Sequence, residues 1–198
     1  MWRMKNIIFL FFLSSCSLFK THYLAGDLRQ AVKKVCLNTA GKGRLFIKER
    51  KYIFSYESAL DEKHANWILA LSFPMHKTET FKIDWSEEGR VRFESSIEEK
   101  ILKENSEINP QSLEVFTHGV GKLLNEVIEL KTQRQTQRTD FKWKVSRKNI
   151  VAVSRKMRMT AKFSNLVSNS HFGLISVSYH DLNDQTYKMD LVVKNCFK

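Results

Sequence analysis

Residues 65–73 read ANWILALSF, and every second side chain of this run, from Trp67 to Phe73, is large and apolar. Successive side chains of a strand point to opposite faces of a sheet, so this alternation predicts a strand with one buried face. Runs with the same period lie on either side of it, at residues 43–49, 51–58, 78–85 and 89–95. Short connectors such as Glu88-Gly89 favour hairpins, and the five runs together predict an antiparallel meander with one solvated face.

The C-terminal third returns to the same strand pattern. Residues 151–163 alternate, with a bend expected near Arg155. Residues 172–179 and 185–196 alternate on both sides of the polar stretch 181–184, which predicts a second hairpin.

Three segments have helical spacing instead. Leu28, Val32 and Val35 predict a helix over residues 27–37, capped by Asp27 and ended by Asn38 and Gly41. Residues 97–104 form a second, weaker pattern. The third and longest predicted helix covers residues 110–130, with Asn109 as its cap and Pro110 in its first turn. Gly119 and Gly121 of this helix indicate either a hinge or a close approach of another backbone.

The order of elements predicts a β-rich α+β fold for one domain, residues 27–198. One large antiparallel sheet is the simplest arrangement, with the helices covering its apolar face. Because sheets twist, so large a sheet is expected to curve strongly toward an incomplete, unclosed barrel.

The residues of the first meander carry a family resemblance. They are the segments 43–47 (GRLFI), 52–56 (YIFSY), 67–75 (WILALSFPM) and 80–83 (TFKI), and the hairpin over 172–193 also fits. In this order they resemble the LolA/LolB-like superfamily of periplasmic carriers and outer-membrane receptors for lipoproteins. The resemblance implies an unclosed barrel with helices as a lid, enclosing an apolar cavity that binds acyl chains of lipids or lipoproteins.

A cavity of that kind needs many apolar side chains and few polar ones, with methionines that adapt to varied shapes. The same side chains form an ordinary packed core equally well, and strand alternation does not separate the two alternatives. The candidates for the lipid cavity are Trp67, Leu69, Leu71, Phe73, Phe81, Ile83, Trp85, Met157, Met159, Phe163, Met189 and Leu191.

The N-terminus has the three parts of a secretory signal. Arg3 and Lys5 precede the apolar run 7–13, and two serines precede Cys16. The apolar run is too short to cross a bilayer, which takes about 20 residues. Leu13-Ser14-Ser15-Cys16 resembles a bacterial lipobox. The alternative is an ordinary signal peptide that happens to be followed by a cysteine.

The lipobox implies removal of residues 1–15, acylation of Cys16 and a lipidated tether over residues 16–26. Ser17 after the cysteine implies sorting to the outer membrane rather than retention. We therefore expect a monomer that is anchored in the bacterial cell envelope and faces the periplasm.

Two cysteines remain for a disulfide once Cys16 carries lipid. Cys36 and Cys196 are an even pair in an oxidising compartment, which predicts a bond between the end of the first helix and the last strand. Two buried free thiols are the alternative.

Positive charge is concentrated in one part of the chain. The formal net charge is +12, and residues 131–162 contain eleven Lys and Arg but one acid, Asp140. Such a segment attracts lipopolysaccharide or another anionic envelope polymer, or else it is a solvated strand face. Export makes nucleic acid an improbable partner. The candidates for binding an anionic partner are Lys142, Lys144, Arg147, Lys148, Lys156, Arg158 and Lys162.

The sequence contains no recognisable catalytic or metal-binding motif. The six histidines fall mostly at predicted turns, and His180-Asp181 beside a hairpin favours turn chemistry over a catalytic dyad. We expect that the protein is not an enzyme, that it has no catalytic residue, and that it binds no metal or cofactor. Two hypotheses remain, a carrier with an acyl-chain cavity and an interaction lipoprotein with a packed core and a basic face.

Overall fold

The computed structural model describes residues 25–74, 77–85, 91–104, 108–132, 139–183 and 185–197. The predicted signal 1–15, the lipidation site Cys16 and the turn at Glu88-Gly89 lie outside these residues. Within them the helices are α1 (Ala25–Val32), α2 (Ile97–Glu104) and α3 (Pro110–Thr132). The first five strands are β1 (Thr39–Ile47), β2 (Arg50–Asp61), β3 (Asn66–Ser72), β4 (Thr78–Trp85) and β5 (Val91–Ser95). The last five are β6 (Lys142–Val145), β7 (Ile150–Ser154), β8 (Met159–Val167), β9 (His171–His180) and β10 (Thr186–Cys196).

All ten strands form one antiparallel sheet in the order β5-β4-β3-β2-β1-β10-β9-β8-β7-β6. This confirms the predicted β-rich α+β class with a single antiparallel sheet. Each half is a meander, and β1 pairs with β10 to join the two halves at the centre. The described parts of β5 and β6 each pair on one side only, so these two strands are the edges of the sheet.

The inner face of the sheet and α3 share one hydrophobic core. Alternate residues of each strand point inward, as shown by the buried Leu45 of β1, Phe54 of β2 and Tyr187 of β10. α3 contributes its apolar stripe, in which Phe116 stacks on Tyr187 with the ring centroids 6.0 Å apart. The predicted cap of α3 is confirmed, because the Asn109 side-chain oxygen accepts the backbone N–H of Gln111 at 3.0 Å.

The first helix is shorter than its sequence pattern predicts. It ends at Val32, and residues 33–38 are not helical. Two of their carbonyl groups bond to distant parts of the chain instead, since Lys34 O accepts Phe172 N of β9 at 3.1 Å and Asn38 O accepts Phe197 N, just after β10, at 2.8 Å. The prediction that Gly41 ends a helix is also wrong. Gly41 lies within β1, where an added Cβ would come 2.0 Å from Val192 O.

A disulfide between Cys36 and Cys196 joins the segment 33–38 to the end of β10. The Cα atoms are 5.8 Å apart and the two residues are 160 positions apart in sequence. The predicted pairing is confirmed. It closes a loop that contains almost the whole described chain.

The predicted bend near Arg155 is a full reversal of the chain. Residues 155–158 form the turn between β7 and β8, where Arg158 has a φ of 49° and Ser154 pairs with Met159. The reversal changes which side chains point inward. Val151 and Val153 lie opposite Lys162 and Thr160 on the outer face, whereas Met159 and Phe163 are buried.

Candidate functional site

The residues predicted to line a lipid cavity lie together at the core. Trp85 and Met157 are half-buried at its margin, and the buried members are Trp67, Leu69, Leu71, Phe73, Phe81, Ile83, Met159, Phe163, Met189 and Leu191. An apolar cavity remains between α2, α3 and the sheet, and its volume is about 30 Å³. That volume is close to the share of one water molecule in the liquid. The described core is therefore closely packed.

α3 approaches the sheet at its two glycines. A Cβ on Gly119 would lie 2.4 Å from Met159 Cε, and one on Gly121 would lie 2.5 Å from Phe93 Cδ1. These contacts are with side chains, whereas the sequence pattern predicted a hinge or the close approach of another backbone. Any larger residue there would have to displace a side chain of β8 or β5.

The outer face of the sheet differs in charge between its two halves. On strands β1 and β6–β10, the outward-facing charged residues are one acid, Asp190, and the seven cations Lys42, Arg44, Lys142, Lys144, Lys162, Lys188 and Lys194. We call this surface the basic outer half. On strands β2–β5, acids and bases alternate and pair, as Lys82 does with Asp84 at 3.0 Å. The excess charge is therefore confined to one half.

The single acid of the basic outer half is buried beneath its cations. Asp190 is 4% exposed, and its Oδ2 lies 3.2 Å from Lys188 Nζ and 3.6 Å from Arg44 Nη2. Its Oδ1 accepts a hydrogen bond from Ser176 Oγ at 2.7 Å. This carboxylate offsets part of the charge of Arg44 and Lys188, and the other five cations of the surface form no ion pair with it.

Apolar side chains lie between these cations. The charged groups of Arg44 and Lys188 lie 5.8 and 5.6 Å from the ring centre of Phe46, within the range of cation–π attraction. Val192 of β10 is 40% exposed, and Val151 and Val153 are partly exposed on β7, three strands away. The surface thus combines positive charge with accessible apolar area.

The predicted anionic-partner residues divide into three groups. Lys142, Lys144 and Lys162 belong to the basic outer half. Arg147 and Lys148 lie in the β6–β7 turn, and Lys156 and Arg158 lie in the β7–β8 turn at the other end of the strands. The Arg158 guanidinium donates to Asp181 O at 2.9 Å. Four cations of the basic outer half were missed, because Lys42, Arg44, Lys188 and Lys194 lie far from residues 131–162 in sequence.

A buried carboxylate on α3 holds the start of β6. Glu126 Oε1 accepts the backbone N–H groups of Asp140 at 2.5 Å and Phe141 at 3.2 Å, and Oε2 accepts Trp143 Nε1–H at 3.0 Å. Burial raises the pKa of Glu126, while these hydrogen bonds oppose the rise. Glu126 thereby positions the strand that presents Lys142 and Lys144. Its only sequence signal is a charged residue beside the apolar Val127 and Ile128.

Glu126→Ala is expected to lower the free energy of unfolding by about 1–3 kcal/mol, because buried N–H donors lose their acceptor. Glu126→Gln should cost less, since its amide oxygen still accepts the two backbone bonds. The raised pKa means that the ionised form is disfavoured in the folded state, so wild type should gain stability relative to Glu126→Gln as the pH falls from neutral toward 4.5. Urea unfolding at several pH values measures both effects. An unchanged Glu126→Ala midpoint would contradict the assignment.

The described residues contain no recognisable catalytic or metal arrangement. Asp181 Oδ1 accepts the backbone N–H groups of Asn183 and Gln185, both at 2.8 Å, which stabilises the β9–β10 turn. His180 contacts Thr186 rather than Asp181. In the parts of the chain that the structure describes, no group of three or more His, Cys, Asp or Glu could hold a metal ion. No described helix is long and apolar enough to span a bilayer.

No protein-family model and no curated protein sequence matches the chain.

Proposed function

We propose that this protein is a lipid-anchored envelope protein whose basic outer half docks on phosphate groups of an anionic glycolipid such as lipopolysaccharide. The observation that carries the proposal is the segregation of seven outward-facing cations around one buried acid. The function is binding, and it requires neither a cofactor nor a chemical step.

The size of the basic outer half suits a surface rather than a single small ion. It spans six neighbouring strands, which is about 24 Å at the usual strand spacing. Exposed charges act over about 8 Å at physiological salt, so the attraction requires contact and weakens as salt is added. The exposed Val192 and the half-buried Phe46 add apolar area, which favours a partner that is itself amphipathic.

The disulfide supports the envelope location. Bonds of this kind form and persist in exported proteins and are rare in the reducing cytosol. An anchor at Cys16 and a tether over residues 16–26 remain part of the proposal. They would hold the described domain close to a membrane and raise its effective concentration at that surface.

A sheet that curves around α3, as the LolA/LolB-like resemblance implies, also belongs to this proposal. Gly119 faces β8 and Gly121, only two residues later, faces β5. In a flat sheet these two strands would be seven spacings apart, about 34 Å, whereas a helix is about 10 Å wide. The paired contacts support some curvature, although the sheet is not closed and is not curled as strongly as the predicted unclosed barrel would be.

The triple variant K142Q/K144Q/K162Q tests the docking surface. The matched control is K33Q/K63Q/K77Q, which removes the same charge from exposed lysines outside the basic outer half. With the full chain in neutral detergent, we expect the test variant to lose at least about tenfold in affinity for phosphocellulose, since each cation near an anionic surface contributes about 1 kcal/mol. The control should change much less. Equal losses in both variants would show that only net charge matters and would reject the surface.

Acyl-chain binding at the core is the second candidate function. It is favoured by the apolar cavity beneath α2 and α3, which Leu69, Leu71 and Phe81 line. Admitting an acyl chain would require α2 and α3 to separate from the sheet. Native mass spectrometry of the full chain should then show retained acyl cargo, whereas a clean mass across preparations would count against this candidate.

A further inference from the structure

An open groove of about 470 Å³ lies on the outer face where the basic outer half meets β2, β3 and β4. This is within the usual size range of small-ligand sites. Its floor is formed by Ala40 and Ala70, whose side chains rise little above the sheet, and by Gly41, which has no side chain. The register of β1 and β10 shifts between Ala40 and Gly41, and such bulges bend a strand locally. The groove is therefore a built feature of the sheet.

Two lysines stand at one end of the groove. Lys42 of β1 lies opposite Val192, and Lys194 follows Val192 by two residues on β10, at the register shift between the two strands. Neither forms an ion pair with an acid among the described residues. Two ammonium groups at one end of a groove repel each other, and a phosphate between them would relieve that repulsion.

A row of hydroxyl groups leads away from the lysines. In the strand registers Lys42 lies opposite Ser55, Ser55 opposite Ser72, and Ser72 opposite Thr78. The Ser72 and Thr78 hydroxyl oxygens are 3.3 Å apart. The row crosses four strands, about 14 Å, and offers donors and acceptors to a ligand rich in hydroxyl groups.

The next row contains a carboxylate. Glu57 is exposed and lies opposite both Ala40 and Ala70 on the groove floor. A carboxylate accepts hydrogen bonds from hydroxyl groups, offsets part of the charge of the two lysines, and repels any further phosphate along the groove. The charges therefore disfavour a polyphosphate. They favour a ligand with one phosphate near the lysines and an uncharged remainder that carries hydroxyl groups.

We propose that this groove binds a phosphorylated saccharide. Its phosphate would lie between Lys42 and Lys194, and its hydroxyl groups would contact Ser55, Ser72, Thr78 and Glu57. The inference rests on the proposed function and deepens it, because it names the part of a glycolipid headgroup that the protein recognises individually.

The test uses the full chain in neutral detergent and three probes, glucose 6-phosphate, inorganic phosphate and glucose, with titration calorimetry. Glucose 6-phosphate should bind at least about tenfold more tightly than either other probe, because charge-assisted and neutral hydrogen bonds act together. K42Q/K194Q should lose at least about tenfold in this affinity. K142Q/K144Q, which removes the same charge outside the groove, should stay within about twofold, as expected for distant sites.

A second variant fills the groove without changing its charge. Ala70→Tyr adds a ring on the outer face, and it should abolish glucose 6-phosphate binding while phosphocellulose binding persists. Equal affinity for inorganic phosphate and glucose 6-phosphate would overturn the saccharide assignment, and unchanged binding in K42Q/K194Q would overturn the groove. The docking proposal is tested separately, by the loss of phosphocellulose affinity in K142Q/K144Q/K162Q. If that loss is found while glucose 6-phosphate binding fails either test, the saccharide groove is rejected and the docking surface is retained.

Discussion

Leu71→Ala is expected to lower the free energy of unfolding by about 2–5 kcal/mol, the usual cost of removing a leucine from a packed core. Leu71 is 1% exposed and lies on the inner face of β3, beside the small apolar cavity under α2 and α3. The cost combines lost burial with an enlarged cavity that the surrounding side chains fill only in part. Urea unfolding of the full chain, followed by tryptophan fluorescence, measures it.

The size of this effect separates a packed core from a carrier's cavity. In a cavity that opens to admit acyl chains, a shortened lining residue would merely widen existing space and would cost little. Val192→Ala is the matched control, because Val192 is 40% exposed on the outer face and should change stability by no more than about 0.5 kcal/mol. A loss for Leu71→Ala as small as that of the control would contradict close packing.

Removal of the disulfide is expected to have an effect of similar size. The double variant C36S/C196S should lose about 2–5 kcal/mol of unfolding free energy, since the bond closes a very long loop in the unfolded chain. The segment 33–38 should also loosen, because without the disulfide it is held to the rest of the chain by weaker contacts such as the hydrogen bonds from Phe172 and Phe197 to its carbonyl groups. Reduction of the wild-type protein should reproduce the loss. Equal midpoints for the oxidised, reduced and double-variant proteins would show that the bond contributes nothing.

Local patterns predicted most of the strands but not how their two meanders join. The alternation at Trp67, Leu69 and Leu71 depends on neighbouring residues alone, and β3 forms where that pattern lies. The pairing of β1 with β10 involves residues some 150 positions apart, and local periodicity carries no information about it. The cysteine pair was the one indirect sign, because Cys36 and Cys196 place the start of β1 beside the end of β10.

Element ends were mispredicted where distant partners decide them. The helical spacing continues to Val35, yet α1 ends at Val32 because Lys34 and Asn38 bond to distant parts of the chain. Residues 151–163 alternate as one bent strand would, yet they form a hairpin. The basic outer half was predicted only in part for the same reason. The basic segment 131–162 contains Lys142 but not Lys188, which lies on β10 far along the sequence. Only the sheet order brings these two lysines to one surface.

Residue-resolved lysine labelling reports which surface of the wild-type chain contacts an anionic glycolipid. The full chain in neutral detergent is acetylated with and without lipopolysaccharide, and each modified lysine is quantified by mass spectrometry. If the basic outer half is the docking surface, Lys142, Lys144 and Lys162 lose reactivity while Lys63 and Lys103 keep theirs. Protection confined to Lys100 and Lys103 of α2, or equal at every lysine, would contradict this docking surface.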